Sequence, residues 1–157
     1  MPTPENIKGR SRRSLAYQSQ ITGLPYGLDV VLNGVRFDGC DEETQRMQEA
    51  KGLGMEWMLN WPREKLENSK FYTRMIRQAG RQNDASGGRG DDYYFASKRM
   101  ADFFSQEFAN KGFSNIRVHY VEAIVKKIAK WLRRTFWQSQ SQGYFHKLSL
   151  ASGGLGQ

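Results

Sequence analysis

The sequence predicts an α/β domain, a mixed sheet flanked by helices in the order α, β, β, β, α, β, α, β, with a helical extension at the C-terminal end. Three observations carry this. Asn33-Gly34 stands between two short apolar runs, residues 97–111 repeat apolar side chains at helical spacing, and residues 116–121 (IRVHYV) alternate as a half-buried strand does. A chain of 157 residues fits one domain and buries about 70% of its unfolded surface, enough for a core without covalent staples.

Residues 1–13 carry Lys8, Arg10, Arg12 and Arg13 among Pro, Gly and Ser, the composition of a flexible basic lead-in. Residues 11–22 form a short helix that Ser11 can cap and that Gly23-Leu24-Pro25 ends. Residues 26–38 read as a hairpin, because Asn and Gly both tolerate the positive φ that a type I′ turn needs. After a turn at 39–43, residues 44–51 are ambiguous: Glu, Gln, Arg, Met, Ala and Lys favour helix, yet the chemistry proposed below requires strand. On a strand Glu49 and Lys51 share a face and Ala50 points away, whereas on a helix positions i and i+2 diverge by about 200°. Strand is the expectation, against propensity.

Residues 55–61 lead to Pro62, and residues 63–82 read as one long helix. Residues 83–92 (NDASGGRGDD) have loop composition, and the Arg89-Gly90-Asp91 within them is a coincidental adhesion tripeptide. A short strand at 93–96 precedes the 97–111 helix, with Ser97 as N-cap, Gly112 at its end and Met100, Phe103, Phe104 and Phe108 as its buried stripe. Residues 122–137 form a basic amphipathic helix with three competing uses: packing on the domain, lying on a membrane surface, or docking on a partner. The boundaries expected are thus a lead-in at 1–13, a domain at 14–121 and an extension at 122–157.

A net charge of +8 and a pI near 9.7 give the surface a potential that attracts polyanions, nucleic acid first among them. Cys40 is the single cysteine, which excludes an intrachain disulfide and a cysteine-based zinc site. There is no phosphate-cradling GxxxxGK loop and no GxSxG elbow. No apolar run approaches the roughly 20 residues that span a membrane, and the polar start lacks a secretory signal, so export would proceed without a cleaved signal peptide.

The chemistry concentrates in residues 35–52. Phosphodiester hydrolysis needs a nucleophilic water, stabilisation of charge at phosphorus and an escort for the leaving oxygen. One or two Mg²⁺ ions, or Mn²⁺ in their place, supply these through carboxylate and water oxygens. Asp38 and Glu49 are the natural ligands if residues 35–38 and 44–51 are neighbouring strands, with the Ala50 carbonyl as a further oxygen, and Lys51 can orient the water and offset charge. Glu-Ala-Lys alone is common on ordinary helices, and Phe37-Asp38-Gly39 after a hairpin is what raises its weight.

Tyr17-Gln18-x-x-Ile21-Thr22-Gly23, Val35-x-Phe37-Asp38-Gly39, Glu49-Ala50-Lys51-Gly52, Arg81-Gln82, Tyr94-Phe95 and Ile116-x-Val118-x-Tyr120 follow one another in this order. Together they resemble the restriction-endonuclease-fold toxins of the fifth Tox-REase class, over residues 16–121. The resemblance implies a restriction-endonuclease-like core of the PD-(D/E)xK superfamily, found at the C-termini of bacterial polymorphic toxins and type VI secretion effectors and neutralised by a cognate immunity protein. It further implies metal binding at Asp38 and Glu49, catalysis at Lys51, and Gln82 and Gln18 as polar residues turned toward the site. Phe37 stands where the family has Pro, and Arg46 and Gln48 stand where it has apolar residues.

The expected function is therefore a Mg²⁺-dependent deoxyribonuclease, an endonuclease toxin that acts in the cytoplasm of a competing bacterial cell. Gln82 belongs with the catalytic set, and Gln18, Arg81, Lys126 and Lys127 with the substrate-binding set. Its partners would be double-stranded DNA, an immunity protein and a secretion apparatus or larger fused chain, with no stable membrane insertion. The rivals are an RNase on the same scaffold, a non-catalytic binding module and a membrane-active helix. His119, Asp41, Glu42 and Glu43 are read as structural or solvated groups rather than site residues.

Overall fold

The structure is a computed structural model that describes residues 1–4, 6, 8 and 10–124. Every element below lies in one compact unit, Met1–Ala123. The basic helix expected at 122–137, with Lys126 and Lys127, lies outside the described residues from 125 onward. Among the described residues no helix is long and apolar enough to cross a membrane.

Two sheets organise the unit. In the first, β1 (Pro2–Pro4) pairs antiparallel with β2 (Leu28–Leu32), which pairs antiparallel with β3 (Val35–Phe37). Asn33 and Gly34 close the β2–β3 hairpin at φ 50° and 78°, the positive values that their side chains accept. The flexible lead-in expected at 1–13 is therefore partly strand. Thr3 Oγ1 donates to Asp29 at 2.8 Å and ties β1 to the hairpin.

The second sheet runs β4 (Gly39–Cys40), β5 (Met47–Lys51), β6 (Asp91–Phe95), β7 (Ile116–Tyr120). β4 is antiparallel to β5, while β5, β6 and β7 are parallel to one another. Residues 47–51 are thus strand, despite their helix-forming composition. Four of the five are buried, and pairing on both sides outweighs a propensity worth a few tenths of a kcal/mol per residue.

Helix α1 (Arg12–Thr22) begins where Ser11 accepts from Ser14 N–H and ends at Gly23 in the left-handed region. Its Tyr17 packs with Ala50 and Ala96 on one face of the second sheet. The single helix expected at 63–82 is instead two, α2 (Arg63–Glu67) and α3 (Lys70–Ser86). Ser69 breaks the pattern by accepting from Tyr72 N–H as the N-cap of α3. α3 also continues through 83–86, where loop composition misleads. Asn83 accepts two hydrogen bonds from Asn115, one from its N–H and one from its side-chain amide, and Ala85 packs against Phe37 and Met47, so tertiary contacts extend the helix. The connection is reduced to a 3-10 turn, Gly87–Arg89, and Gly90. Asp91 is fully buried in β6, which rules out an adhesion role for the tripeptide it ends.

Helix α4 (Lys98–Asn110) is capped by Ser97, which accepts from Met100 N–H, and Gly112 follows it at φ 74°. Phe104 has no exposed surface and stacks on Phe95 with centroids 5.5 Å apart. α3 and α4 bury Tyr72, Met75, Phe104 and Phe108 against Tyr93 and Phe95, on the sheet face opposite α1. A mixed sheet held between helices is the predicted α/β class, and it leaves the ends of β3 and β5 meeting at one cleft.

Candidate active site

Alternation along β5 sets the site. Met47 N–H donates to Gly90 O, and Lys51 O accepts from Ala96 N–H, so odd-numbered backbone groups face β6. The peptide groups of Gln48 and Ala50 must then face the other way, toward β4. Gln48 finds Gly39 there. β4 is only two residues long, and Ala50 N–H is taken instead by the Asp38 side chain, Oδ2 accepting at 2.8 Å. The expectation that residues 35–38 and 44–51 pair as neighbours is corrected in this respect. β3 pairs with β2, and Asp38 sits at the corner where the chain leaves one sheet for the other. Gly39 makes that corner, since a Cβ there would lie 2.7 Å from Thr22 Cβ at the end of α1.

Side chains alternate too. Glu49 and Lys51 lie on the face shared with Tyr93, and Ala50 lies on the α1 face. Lys51 Nζ donates to Glu49 Oε1 at 2.6 Å and to Gln78 Oε1 at 2.9 Å. Gln82, with no exposed surface, donates from Nε2 to Glu49 Oε2 at 2.7 Å and to Arg36 O at 2.9 Å, and accepts from the Tyr93 hydroxyl. Gln82 thus holds the carboxylate from beneath while Lys51 holds it from the cleft.

Asp38, Glu49, Lys51 and Gln78 line a cleft of about 490 Å³ with Arg10, Asp29 and Arg36. Arg10 reaches within 3.9 Å of Asp38, and Arg36 pairs with Asp29 at 2.8 Å. Burial, and then the neighbouring charge of Glu49, push the Asp38 carboxyl up to about 8, against the opposing pull of Lys51. Below them Asp91, with both oxygens buried and without a hydrogen-bond partner, is also pushed up to about 8, by burial and then by Glu49.

Two apposed carboxylates whose negative charge is incompletely offset form an oxygen donor set that suits a hard divalent cation. Their existing hydrogen bonds leave lone pairs over, since each carboxylate accepts at about four sites. Among the described residues no group of three or more Asp, Glu, His or Cys gathers as a metal site, so water and substrate oxygens would complete any shell.

The other predicted residues divide. Arg81 is exposed on α3 and lines a second groove with Arg36, Arg74, Arg77 and Gln78. Gln18, expected to face the site, is 4% exposed and donates to Leu28 O, fastening α1 to the hairpin, and it is not among the residues lining the cleft. His119 pairs with Asp92 at 3.0 Å and stacks on Tyr94. Its register with Tyr94 and Ala50 puts it on the sheet face away from Glu49. Asp41 accepts from Thr44 N–H and Oγ1, which hold its carboxyl below the usual range in a solvent-exposed turn. The polar Arg46 has local work, while Gln48 is buried in β5 opposite Gly39. Arg46 bonds Asp92 and the carbonyls of Arg89, Asp91 and Asn115, and lies so close to Gly90 that a Cβ there would collide with it.

The family model of restriction endonuclease fold toxin 5 matches residues 14–97, more than half of the chain. The chain belongs to the Tox-REase-5 family. The match takes in α1 through β6, and with them Asp38, Glu49, Lys51, Gln78 and Gln82. α4 and β7 lie wholly beyond it, although the sequence motifs suggested a reach to residue 121. No curated protein matches the chain. Membership of Tox-REase-5 places the chain among nuclease toxins, with nucleic acid as substrate. The residues that motif reading missed are Gln78, Arg36, Arg74, Arg77 and Asp91. Arg74, Arg77 and Arg81 stand at i, i+3 and i+7 of one helix, a signal present in the sequence but masked by the view of 63–82 as an ordinary amphipathic helix.

Proposed function

We propose that this protein is a metal-dependent deoxyribonuclease toxin that cuts phosphodiester bonds of double-stranded DNA in the cytoplasm of a competing bacterial cell. One observation carries the reading: Glu49 and Lys51 share a strand face, bonded to each other, and line one cleft with an Asp38 anchored to Ala50 N–H. Asp38, Glu49 and the Ala50 carbonyl would hold Mg²⁺ or Mn²⁺, and such an ion lowers the pKa of water and neutralises charge at the phosphate. Lys51 uses two of its three N–H donors on Glu49 and Gln78, which leaves a third for the attacking water or a phosphate oxygen. Water adds to phosphorus, one ester P–O bond breaks, and the leaving oxygen takes up a proton. Gln82 and Tyr93 do not touch the substrate in this reading. They keep Glu49 in place from the buried side.

The duplex would lie along α3, where Arg74, Arg77 and Arg81, with Arg36, flank the cleft through their shared neighbour Gln78. Arginine suits this role because its planar fork meets phosphate oxygens in pairs. Each single Arg→Gln change at 74, 77 or 81 is expected to weaken binding uniformly across sequences and to lower the log–log salt slope by about one. An unchanged slope in all three would remove the duplex from this groove.

Purified protein is expected to degrade plasmid in Mg²⁺ or Mn²⁺ and to stop when a chelator is added. Digestion of DNA, tRNA and rRNA side by side reads the substrate directly. Cleavage that persists in chelator would contradict the metal role, and cleavage of RNA alone would contradict the DNA assignment. Delivery through a secretion apparatus or a larger fused chain, and restraint by an immunity protein, complete the proposal.

A further inference from the structure

A larger groove, of about 890 Å³, opens on the other side of Lys51 and Gln78. It is built where a 3-10 turn, Glu56–Asn60, leads through Trp61 and Pro62 into α2. Trp57 stands 54% exposed, with Trp61 perpendicular to it at 5.1 Å between centroids. Lys65 Nζ lies 4.2 Å from the Trp61 ring centroid, so a cation already uses the π surface of that ring. The buried Met58 and Met75 contribute to the lining.

The charges of the groove are one-sided. Lys51, Lys65, Lys70 and Arg74 line it, and among the described residues no carboxylate does. The nearest acid in the sequence of the turn, Glu56, is turned to Ser97 and Arg99. Apolar surface interrupted by aromatics and ringed by cations is the composition of a site for unpaired nucleotides, where phosphates meet the cations and a base stacks on an indole. A paired duplex meets half of this. Its phosphates satisfy Lys and Arg, but its base faces are covered and leave Trp57 idle. The groove also shares Lys51 and Gln78 with the carboxylate cleft, so a strand held at Lys51 has a continuous path into it.

We propose that this groove is a subsite for an unpaired nucleotide of the DNA strand under attack, its base stacked on Trp57 and its phosphates held by Lys65, Lys70 and Arg74. This rests on the nuclease reading and deepens it, because it makes single strands, frayed ends and flaps better substrates than blunt duplex. Trp57 is a specificity-determining residue here and touches no reacting atom.

The test is anisotropy of a fluorescein-labelled ten-nucleotide thymidine oligomer and of a ten-base-pair blunt duplex, titrated with protein in chelator so that nothing is cut. Trp57→Ala is expected to bind the single strand about 5- to 150-fold more weakly, the range for loss of one stacked base. It is expected to bind the duplex within about two-fold of wild type, and Trp57→Phe is expected to restore most of the single-strand affinity. Equal loss on both ligands overturns the proposal in favour of a general structural effect. Unchanged single-strand affinity also overturns it, and leaves the groove to an acidic protein partner. Wild-type cleavage of plasmid in Mg²⁺ is scored separately. Its absence sinks the nuclease reading, whereas the oligomer titrations judge the groove.

Discussion

Lys51→Ala and Glu49→Ala are each expected to reduce plasmid cleavage by at least about 10²-fold, the scale seen when one preorganised charge is removed from a reacting centre. The two changes act differently. Lys51→Ala removes the ammonium that offsets phosphate charge and leaves Glu49 Oε1 without that donor, though Gln82 still holds Oε2. Glu49→Ala removes a carboxylate and leaves Lys51 with Gln78 alone among its hydrogen-bond partners. Neither residue is part of the aromatic core packed by α3 and α4, so both proteins should keep a cooperative thermal transition. Expression of the wild type inside a bacterial cell should be lethal and expression of either variant tolerated. Full cleavage by both folded variants would refute the mechanism.

The second large effect concerns pH and stability, and its sign follows from proton counting. Asp38 and Asp91 each rise from the ordinary 3.8 to about 8 in the folded protein. Between those two values the native state therefore holds protons that the unfolded chain has lost. Stability is then highest below about pH 4 as far as these groups go, and declines as pH rises toward 8, by about 1.4 kcal/mol per pH unit for each group fully protonated only in the native state. Asp91→Asn removes one of the two. Urea unfolding at several pH values from 5 to 8, in chelator, should show a shallower decline for the variant than for wild type. Parallel curves would mean that Asp91 does not titrate in this window. A carboxyl kept buried without a hydrogen-bond partner at such cost lies under Glu49, and stability given up at a working site is a common arrangement.

Much of this was legible from residue types. Asn33-Gly34 marked the hairpin because few other pairs accept two positive φ values, and Ser97 with Gly112 bracketed α4 because caps are local chemistry. Residues 47–51 were legible only through function, since their helix propensity pointed the wrong way. Elsewhere the decisive contacts were remote in sequence. Asn83 meets Asn115, and Ala85 meets Phe37, which turned an apparent loop into the last turn of α3. Asp91 and Asp92 look like loop residues, yet one is buried beneath the site and the other joins Arg46 to His119. Gln18 had the right neighbours in sequence and the wrong direction in space, because α1 turns it toward β2. β1 was hidden by composition, Pro and charge suggesting a tether where Thr3 in fact meets Asp29.

The bond from Ala50 N–H to Asp38 has one more implication. It satisfies a buried backbone donor that β4 is too short to reach, so the residue best placed to serve chemistry also completes the pairing of β5. An inactive protein made by Asp38→Ala would leave that buried donor without its partner, at a cost of about 1–3 kcal/mol of stability. Asp38→Asn, which keeps an acceptor oxygen, should keep the bond and most of that stability while losing the charge. For crystallisation or immunisation the asparagine form is the safer detoxified protein.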